Sequence, residues 1–190
     1  ATSAQSNNTV NLNFTNSVPT DIALSTSSIN ENVTTGTTVG GLTTTDVDSG
    51  DTFTYTLVAG DDSTDNNSFS ISGANLLTNT ALDYETKSSY SIRIQTSDGT
   101  ATYAKAFTIN IANVNDAPTD IILSSNSINE NVATSTSVGI LSSTDDDSGD
   151  TFTYTLISGT GATDNTSFSI SSANLLTATT LDFETKSSYS

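Results

Sequence analysis

The sequence repeats itself after 99 residues without a gap. Of the 73 positions that can be compared, 19–91 against 118–190, 53 are identical. The stretch TFTYTL at 52–57 returns at 151–156, and LDYETKSSY at 82–90 returns at 181–189 with a single change. A period of about 100 residues is the size of one β-sandwich domain. The repeat therefore predicts two consecutive domains with the same fold.

Each repeat has the pattern of a strand-and-turn protein. Phe53, Tyr55 and Leu57 alternate with threonines, as expected of a strand with one face in a core. Turn sequences such as Asp-Ser-Gly-Asp at 48–51 separate the apolar runs. Strands are predicted at 21–24, 28–30, 38–44, 52–58, 69–72, 76–82, 90–96 and 103–112. This pattern predicts an all-β chain of tandem seven-stranded Greek-key β-sandwiches. The aromatic residues predicted to lie in the core are Phe53, Tyr55, Phe69, Tyr90 and Phe107.

The two ends of the chain are out of phase with the repeat. The second repeat stops at the position equivalent to Ser91, so its closing strands are missing from this sequence. The sequence Val-Asn-Leu at 10–12 matches Ile-Asn-Ile at 109–111, which predicts an orphan closing strand. The predicted divisions are 1–18, a closing strand of a preceding or neighbouring repeat; 19–117, repeat 1; and 118–190, the incomplete repeat 2. We expect the gap to be filled by a continuing polypeptide or by a strand from another chain.

The composition excludes several kinds of function. The chain has 21 acidic and four basic residues, a net charge of −17, and no His or Cys. Catalytic Ser-His-Asp and Cys-His arrangements, imidazole or thiolate metal sites and disulfides are therefore excluded. The charge argues against binding to nucleic acid, and no apolar run is long enough to insert into a membrane. The remaining chemistry is that of hard oxygen ligands, which suit Ca²⁺ or Mg²⁺.

Acidic motifs recur near the repeat boundaries. An isolated glutamate, an Asp-x-Asp pair and a Leu-Asp-aromatic-Glu motif occur in both repeats, and an aspartate and an Asn-Val-Asn-Asp linker follow in the first. These residues are Glu31 and Glu130; Asp46, Asp48, Asp145 and Asp147; Asp83, Glu85, Asp182 and Glu184; Asp98; and Asn113, Asn115 and Asp116. In type and order, the motifs resemble those of the cadherin repeat, and most closely the cadherin-like modules of bacterial surface proteins. The resemblance implies a cadherin/immunoglobulin-like sandwich.

The resemblance also implies ligands for Ca²⁺. In that family, three Ca²⁺ ions lie at each junction between domains. The set implied for the junction here is Glu31, Asp83 and Glu85 from the upstream domain, Asn113, Asn115 and Asp116 from the linker, and Asp145 and Asp147 from the downstream domain. Asp46, Asp48 and Asp98 would serve an N-terminal junction, where Ser17 stands in place of Asp116. Glu130, Asp182 and Glu184 have no downstream partner in this sequence.

Together these features predict an extracellular, calcium-rigidified structural or adhesive module of a cell-surface protein, and not an enzyme. Its expected partners are further repeats of the same protein or identical chains. Two alternatives stay open. One is a filament subunit in which the strand at 10–14 completes repeat 2 of a neighbouring chain. The other is a polysaccharide-binding module that uses Tyr84 or Tyr103 as an exposed stacking surface on surface glycans. The Asp-Ser-Gly-Asp segments could also be no more than solvated hairpin turns.

Overall fold

The computed structural model describes residues 15–190, so the closing strand predicted at 10–14 lies outside the described part of the chain. The chain divides into two compact units. The first ends at Val114, and the second runs from Asn115 to Ser190. The finer division into repeats at 19–117 and 118–190 stays a prediction.

The first unit is a sandwich of two four-stranded sheets. Its strands are β1 (Asp21–Leu24), β2 (Ser28–Asn30), β3 (Thr38–Thr45), β4 (Thr54–Leu57), β5 (Phe69–Ser72), β6 (Asn75–Thr78), β7 (Ser89–Ser97) and β8 (Thr102–Ala112). One sheet has the order β1-β3-β6-β5 and the other the order β2-β8-β7-β4. Neighbouring strands are antiparallel except β2 and β8, which are parallel. The all-β prediction is confirmed.

The eight strand segments predicted in the first repeat all form, one more than the seven strands of the predicted sandwich type. The reason is that the first edge of the sandwich is divided between the sheets: β1 pairs with β3, whereas β2 pairs with β8. The strand predicted at 76–82 ends early, at Thr78, and the next backbone N–H, that of Asn79, donates to the carbonyl of Ser68 in the 3₁₀ turn before β5. Leu82 leaves the sheet but remains buried, with 1% of its surface exposed.

The core lies between the two sheets and follows the strand alternation. Every second residue of β7 from Tyr90 to Thr96 is buried, which is the pattern of a strand with one face in the core. The buried apolar residues are Ile22, Val39, Leu42, Phe69, Leu76, Leu82, Tyr90, Ile92, Ile94, Ile109 and Ile111. Phe69 and Tyr90 pack edge to face, with ring centroids 5.7 Å apart. Of the other predicted core aromatics, Tyr55 and Phe107 are half-buried against this cluster, and Phe53 is half-buried.

The second unit repeats one of these sheets. Its strands are β9 (Asp120–Leu123), β10 (Ser137–Thr144), β11 (Phe168–Ser171) and β12 (Asn174–Thr177), in the order β11-β12-β10-β9. The register also repeats, since Ile121 faces Ser143 as Ile22 faces Thr44. Within the described residues of this unit, 127–129 and 153–156 form no strand. In the first unit the equivalent segments pair with β8 and β7.

Apolar residues of the second unit are exposed on one face within the described part of the chain. Ile121 is 62% exposed, whereas its counterpart Ile22 is fully buried. Beside it lies a groove of about 590 Å³, and the apolar residues that line it include Leu123, Ile128, Val138, Leu156, Phe168 and Leu175. The only helices in 15–190 are short 3₁₀ turns, and none could cross a membrane.

A β-bulge in β3 requires a glycine. The register between β3 and β6 shifts between Thr38 and Gly40. A Cβ atom on Gly40 would lie 2.7 Å from the carbonyl oxygen of Thr26, and one on the equivalent Gly139 would lie 2.6 Å from that of Ser125. Both repeats therefore keep glycine here because the backbone segment that follows β1, or β9 in the second unit, passes too close for any side chain.

We expect Gly40→Ala to destabilise the first unit by about 1–3 kcal/mol, because the new methyl group must displace backbone. Gly41→Ala is the matched control, since its Cβ would meet only Ser25 Oγ, at 3.8 Å. The second repeat already carries Ile140 at that position. Urea unfolding followed by circular dichroism measures both variants. Equal losses of stability in the two variants would show that contact with the Thr26 backbone is not what excludes a side chain at position 40.

Candidate metal centres

Glu31 is a buried carboxylate at one end of the first unit. It follows β2 directly, and only 2% of its surface is exposed. Its Oε2 accepts the backbone N–H of Tyr84 at 2.6 Å, and its Oε1 accepts that of Val114 at 2.8 Å. A buried charge is costly unless it is hydrogen-bonded, paired or bound to a metal. Glu31 thus joins the Leu-Asp-Tyr-Glu turn to the segment that leaves β8.

The two acids beside Tyr84 have different surroundings. Asp83 accepts both the backbone N–H and the hydroxyl of Thr86, each at 2.9 Å, and these bonds lower the pKa of Asp83. Glu85 is exposed, and its Oε1 accepts Asn113 Nδ2 at 2.8 Å. The first unit thus brings three of the predicted ligands, Glu31, Glu85 and Asn113, to one end, whereas the oxygens of Asp83 are bonded to its own turn.

A second acidic group lies where β3 ends and where β7 turns into β8. Ligand oxygens of Asp46, Asp51 and Asp98 lie within 4.8 Å of one another. Asp98 Oδ1 accepts the backbone N–H groups of residues 100 and 101 at 2.7 and 2.6 Å, and these bonds lower its pKa. Asp48 Oδ2 accepts the N–H of Ser17 at 2.6 Å. We call Asp46, Asp48, Asp51 and Asp98 the Asp46 cluster.

The Asp46 cluster contains carboxylate oxygens with unmet bonding capacity. Asp46 Oδ2 and Asp51 Oδ2 each expose less than 1 Å² and have no hydrogen-bond partner among the described residues. Burial raises the pKa of Asp51, and repulsion from Asp46, Asp48 and Asp98 raises it further. A bound cation would satisfy these oxygens and offset their repulsion.

The second unit repeats this arrangement. Ligand oxygens of Asp145, Asp147 and Asp150 lie within 4.8 Å of one another, and Asp145 Oδ2 is buried without a partner in the described structure. Asp147, which is 9% exposed, accepts the backbone N–H of Asp116 as Asp48 accepts that of Ser17. Asn115 Nδ2 donates to the Asp116 carbonyl at 2.6 Å, so the predicted linker residues of this unit lie next to its Asp-x-Asp pair.

The remaining predicted group also converges. Carboxylate oxygens of Glu130, Asp182 and Glu184 lie within 4.8 Å of one another. Glu130 Oε2 accepts the N–H of Phe183 at 3.0 Å, as Glu31 does for Tyr84. Asp182 accepts the hydroxyl and the backbone N–H of Thr185, and these bonds lower its pKa. The second unit thus repeats the arrangement around Glu31 in the first unit.

The sequence motifs do not include two of the clustered acids, Asp51 and Asp150. Both lie at the end of an Asp-Ser-Gly-Asp segment, for which a solvated hairpin turn is the simpler expectation. That expectation is wrong for the first unit, because β3 and β4 belong to different sheets and the segment crosses between them. Gly50, at φ +108°, turns the chain and places the Asp51 carboxylate among the other acids. The presence of this aspartate in both repeats is the signal that could have identified it.

All the ligand atoms in these groups are oxygens from carboxylates, with amide and backbone carbonyl oxygens nearby. This donor set suits a hard divalent cation, and the partner-less buried oxygens of Asp46 and Asp145 are consistent with one.

Comparisons with known proteins agree with this architecture. Residues 25–112, a little under half of the chain, match the family model of the cadherin domain. A search of curated protein sequences finds no match. Among solved structures, the chain resembles the protocadherin gammaB4 extracellular domain, at 25% identity and a TM-score of 0.52, over 89% of this chain and 29% of that chain. The chain thus spans less than a third of that protein.

Two further structures give higher TM-scores. Human protocadherin-24 EC1-2 has a TM-score of 0.63 at 19% identity, over 90% of this chain and 82% of that chain. Mouse cadherin-23 EC22-24 has a TM-score of 0.56 at 24% identity, over 85% of this chain and 53% of that chain. The fold is cadherin-like. At these identities, the likeness to the two structures establishes the fold, and the ligands of this chain have to be argued from its own residues.

The hydrogen bonds of Glu31 predict that the carboxylate of this residue stabilises the calcium-free protein. Glu31→Gln keeps the size of the side chain but sets an NH₂ group against one of two backbone N–H donors. We expect a loss of about 1–3 kcal/mol in EDTA, measured by urea unfolding. Asp62→Asn, which removes one charge from an exposed turn, is the control and should change stability by less than about 0.5 kcal/mol. A Glu31→Gln protein as stable as the control would contradict this role.

Proposed function

We propose that the chain is a calcium-binding structural and adhesive segment of an extracellular, cell-surface protein, built from cadherin-like repeats. The observation that carries the proposal is the buried, partner-less carboxylate oxygen on Asp46 and on its counterpart Asp145. The equivalent carboxylate oxygen lacks a hydrogen-bond partner among the described residues in both units. The modest affinity typical of extracellular calcium modules suits the high calcium concentration outside cells.

We assign the residues on either side of the linker to a calcium site at the junction of the repeats. The upstream ligands are Glu31, Asp83 and Glu85, the linker ligands are Asn113, Asn115 and Asp116, and the downstream ligands are Asp145 and Asp147. The positions of these residues along the chain support the assignment. Glu31 accepts the backbone N–H of Val114, and the next residue, Asn115, is the first residue of the second unit. Without metal, the carboxylates repel one another across a short linker, so metal binding should stiffen the joint.

The other acids fit the same scheme at the neighbouring junctions. Asp46, Asp48 and Asp98 form the equivalent downstream set of the first unit, with Ser17 in the place of Asp116. Since Ser17 supplies its N–H but no carboxylate, this site should bind calcium more weakly. Glu130, Asp182 and Glu184 form the upstream set of a further junction.

Metal removal tests the proposal. Calcium should raise the melting temperature of the whole chain relative to EDTA, because it binds only the folded state; at 100 times its Kd, one ion adds about 2.7 kcal/mol. Isothermal titration should show binding, and Asp145→Asn should weaken it, whereas Asp62→Asn should not. Small-angle scattering should show a narrower distribution of dimensions in calcium. An unchanged melting temperature in EDTA, with no heat of binding, would sink the proposal.

Homotypic assembly is a second candidate function, favoured by the open groove of the second unit. In the first unit, Ile111 of β8 pairs with Ile29 of β2 and is 4% exposed. Ile128, the counterpart of Ile29, lines the groove. Leu12 is the counterpart of Ile111. We propose that the groove accepts closing strands, and that the segment at 10–14 of an identical chain is one such strand.

A charged substitution in the segment at 10–14 tests whether this segment mediates the assembly. Leu12→Asp would place a carboxylate at the buried position and should abolish concentration-dependent association, measured by light scattering after size exclusion. Asn11→Asp adds the same charge at the counterpart of exposed Asn110, so association should persist. A wild-type chain that is monomeric at every concentration, or a Leu12→Asp chain that still assembles, would rule out this strand as the occupant.

The polysaccharide alternative receives no support from the comparisons. Tyr103, one of its two predicted stacking residues, is half-buried and packs against the core of the first unit. Tyr84 is 37% exposed. One exposed ring beside an acidic cluster does not form a stacking surface, and we do not propose glycan binding.

A further inference from the structure

We propose that Asp51 in the first unit and Asp150 in the second are calcium ligands, each completing a site with the first aspartate of the neighbouring Asp-x-Asp pair. The inference rests on the proposed calcium binding and extends it, because neither residue belongs to the recurring acidic motifs. It gives each Asp-x-Asp pair an additional carboxylate from the same loop.

The distances in the Asp46 cluster suit a single ion. Oxygens of Asp46, Asp51 and Asp98 lie within 4.8 Å of one another. Two ligands that each lie about 2.4 Å from Ca²⁺ can be at most about 4.8 Å apart. The three carboxylates therefore have the spacing of ligands that share one cation.

Asp46 and Asp51 offer the oxygens that the protein leaves without partners. Asp48 Oδ2 accepts the Ser17 N–H, and both oxygens of Asp98 accept hydrogen bonds, one of them from Asn16. The Oδ2 atoms of Asp46 and Asp51, by contrast, are excluded from solvent and have no partner within residues 15–190. An aspartate that serves only as a turn residue would turn its oxygens to water or to backbone N–H groups.

No basic side chain of the protein neutralises this cluster. The chain has four Lys and Arg residues, and each bonds elsewhere: Lys87 to Asp65, Lys105 to Asp21, Arg93 to the Asp61 carbonyl, and Lys186 to Asp164. The charge that balances Asp46, Asp51 and Asp98 therefore has to come from solution. A divalent cation supplies it at the distance the oxygens require.

The second unit gives the same arrangement independently. Asp150 follows a glycine at φ +103°, as Asp51 follows Gly50, and its ligand oxygen lies within 4.8 Å of those of Asp145 and Asp147. Asp145 Oδ2 is again buried without a partner among the described atoms. The three acids that converge here, Asp145, Asp147 and Asp150, all come from one loop.

The test uses the full chain with Asp51→Asn, Asp150→Asn and the control Asp62→Asn. Calcium titrations followed by calorimetry and by terbium luminescence should show, for each of the two variants, one class of site weakened by about tenfold or more, with the other sites unchanged. In EDTA, Asp51→Asn should be at least as stable as the wild type, because it removes a repelling charge. In calcium it should gain less thermal stability.

The outcomes separate this inference from the proposed function. If the wild type binds no calcium, the proposed function itself fails. If the wild type binds and Asp51→Asn binds as tightly as Asp62→Asn, the proposed function stands and Asp51 is no ligand. If Asp51→Asn is less stable than the wild type in EDTA, the aspartate is a structural residue of the loop, and the inference is overturned.

Discussion

The shortage of positive charge is the constraint on which the rest of the structure depends. With four basic groups against 21 acidic ones, most carboxylates cannot form ion pairs. Several are held instead by backbone N–H groups, as Glu31 is by Tyr84 and Val114. Such bonds stabilise a carboxylate without neutralising it. Where acids converge and donors run out, at Asp46 and Asp145, a cation from solution is the remaining way to balance the charge.

Apolar pairing between sheets is the second constraint, and the two units show its effect side by side. The same isoleucine is buried in one unit as Ile22 and 62% exposed in the other as Ile121, although strand order and register are equal. The ladder of this sheet is therefore the same in both units, whereas the burial of its inner face differs. The acidic loops keep their arrangement in both units, so their geometry depends on the first sheet and its connections.

Much of this fold could be predicted from the sequence because alternation and turn residues act locally. The strands at 21–24, 28–30 and 69–72 agree with the structure to the residue. Local patterns fail where long-range contacts decide. From its neighbours, Tyr103 is predicted to be a surface residue, yet it packs on the core, and the position of Asp51 depends on β3 and β4 lying in different sheets. The acids of the motifs were identifiable from their type and order, whereas Asp51, although it also recurs, resembles an ordinary turn residue.

Comparison of the two repeats shows which contacts depend on the backbone and which features depend on the side chains. Asp48 accepts the backbone N–H of Ser17, and Asp147 accepts that of Asp116. This bond therefore forms whether the donor residue is a serine or an aspartate. The carboxylate of Asp116 is therefore not needed to place the Asp-x-Asp pair. Its presence at the linker and its replacement by serine at the N-terminal position instead change the charge of the site. At the proposed calcium sites, this difference in charge predicts different affinities for the metal, although the backbone contact is the same in both units.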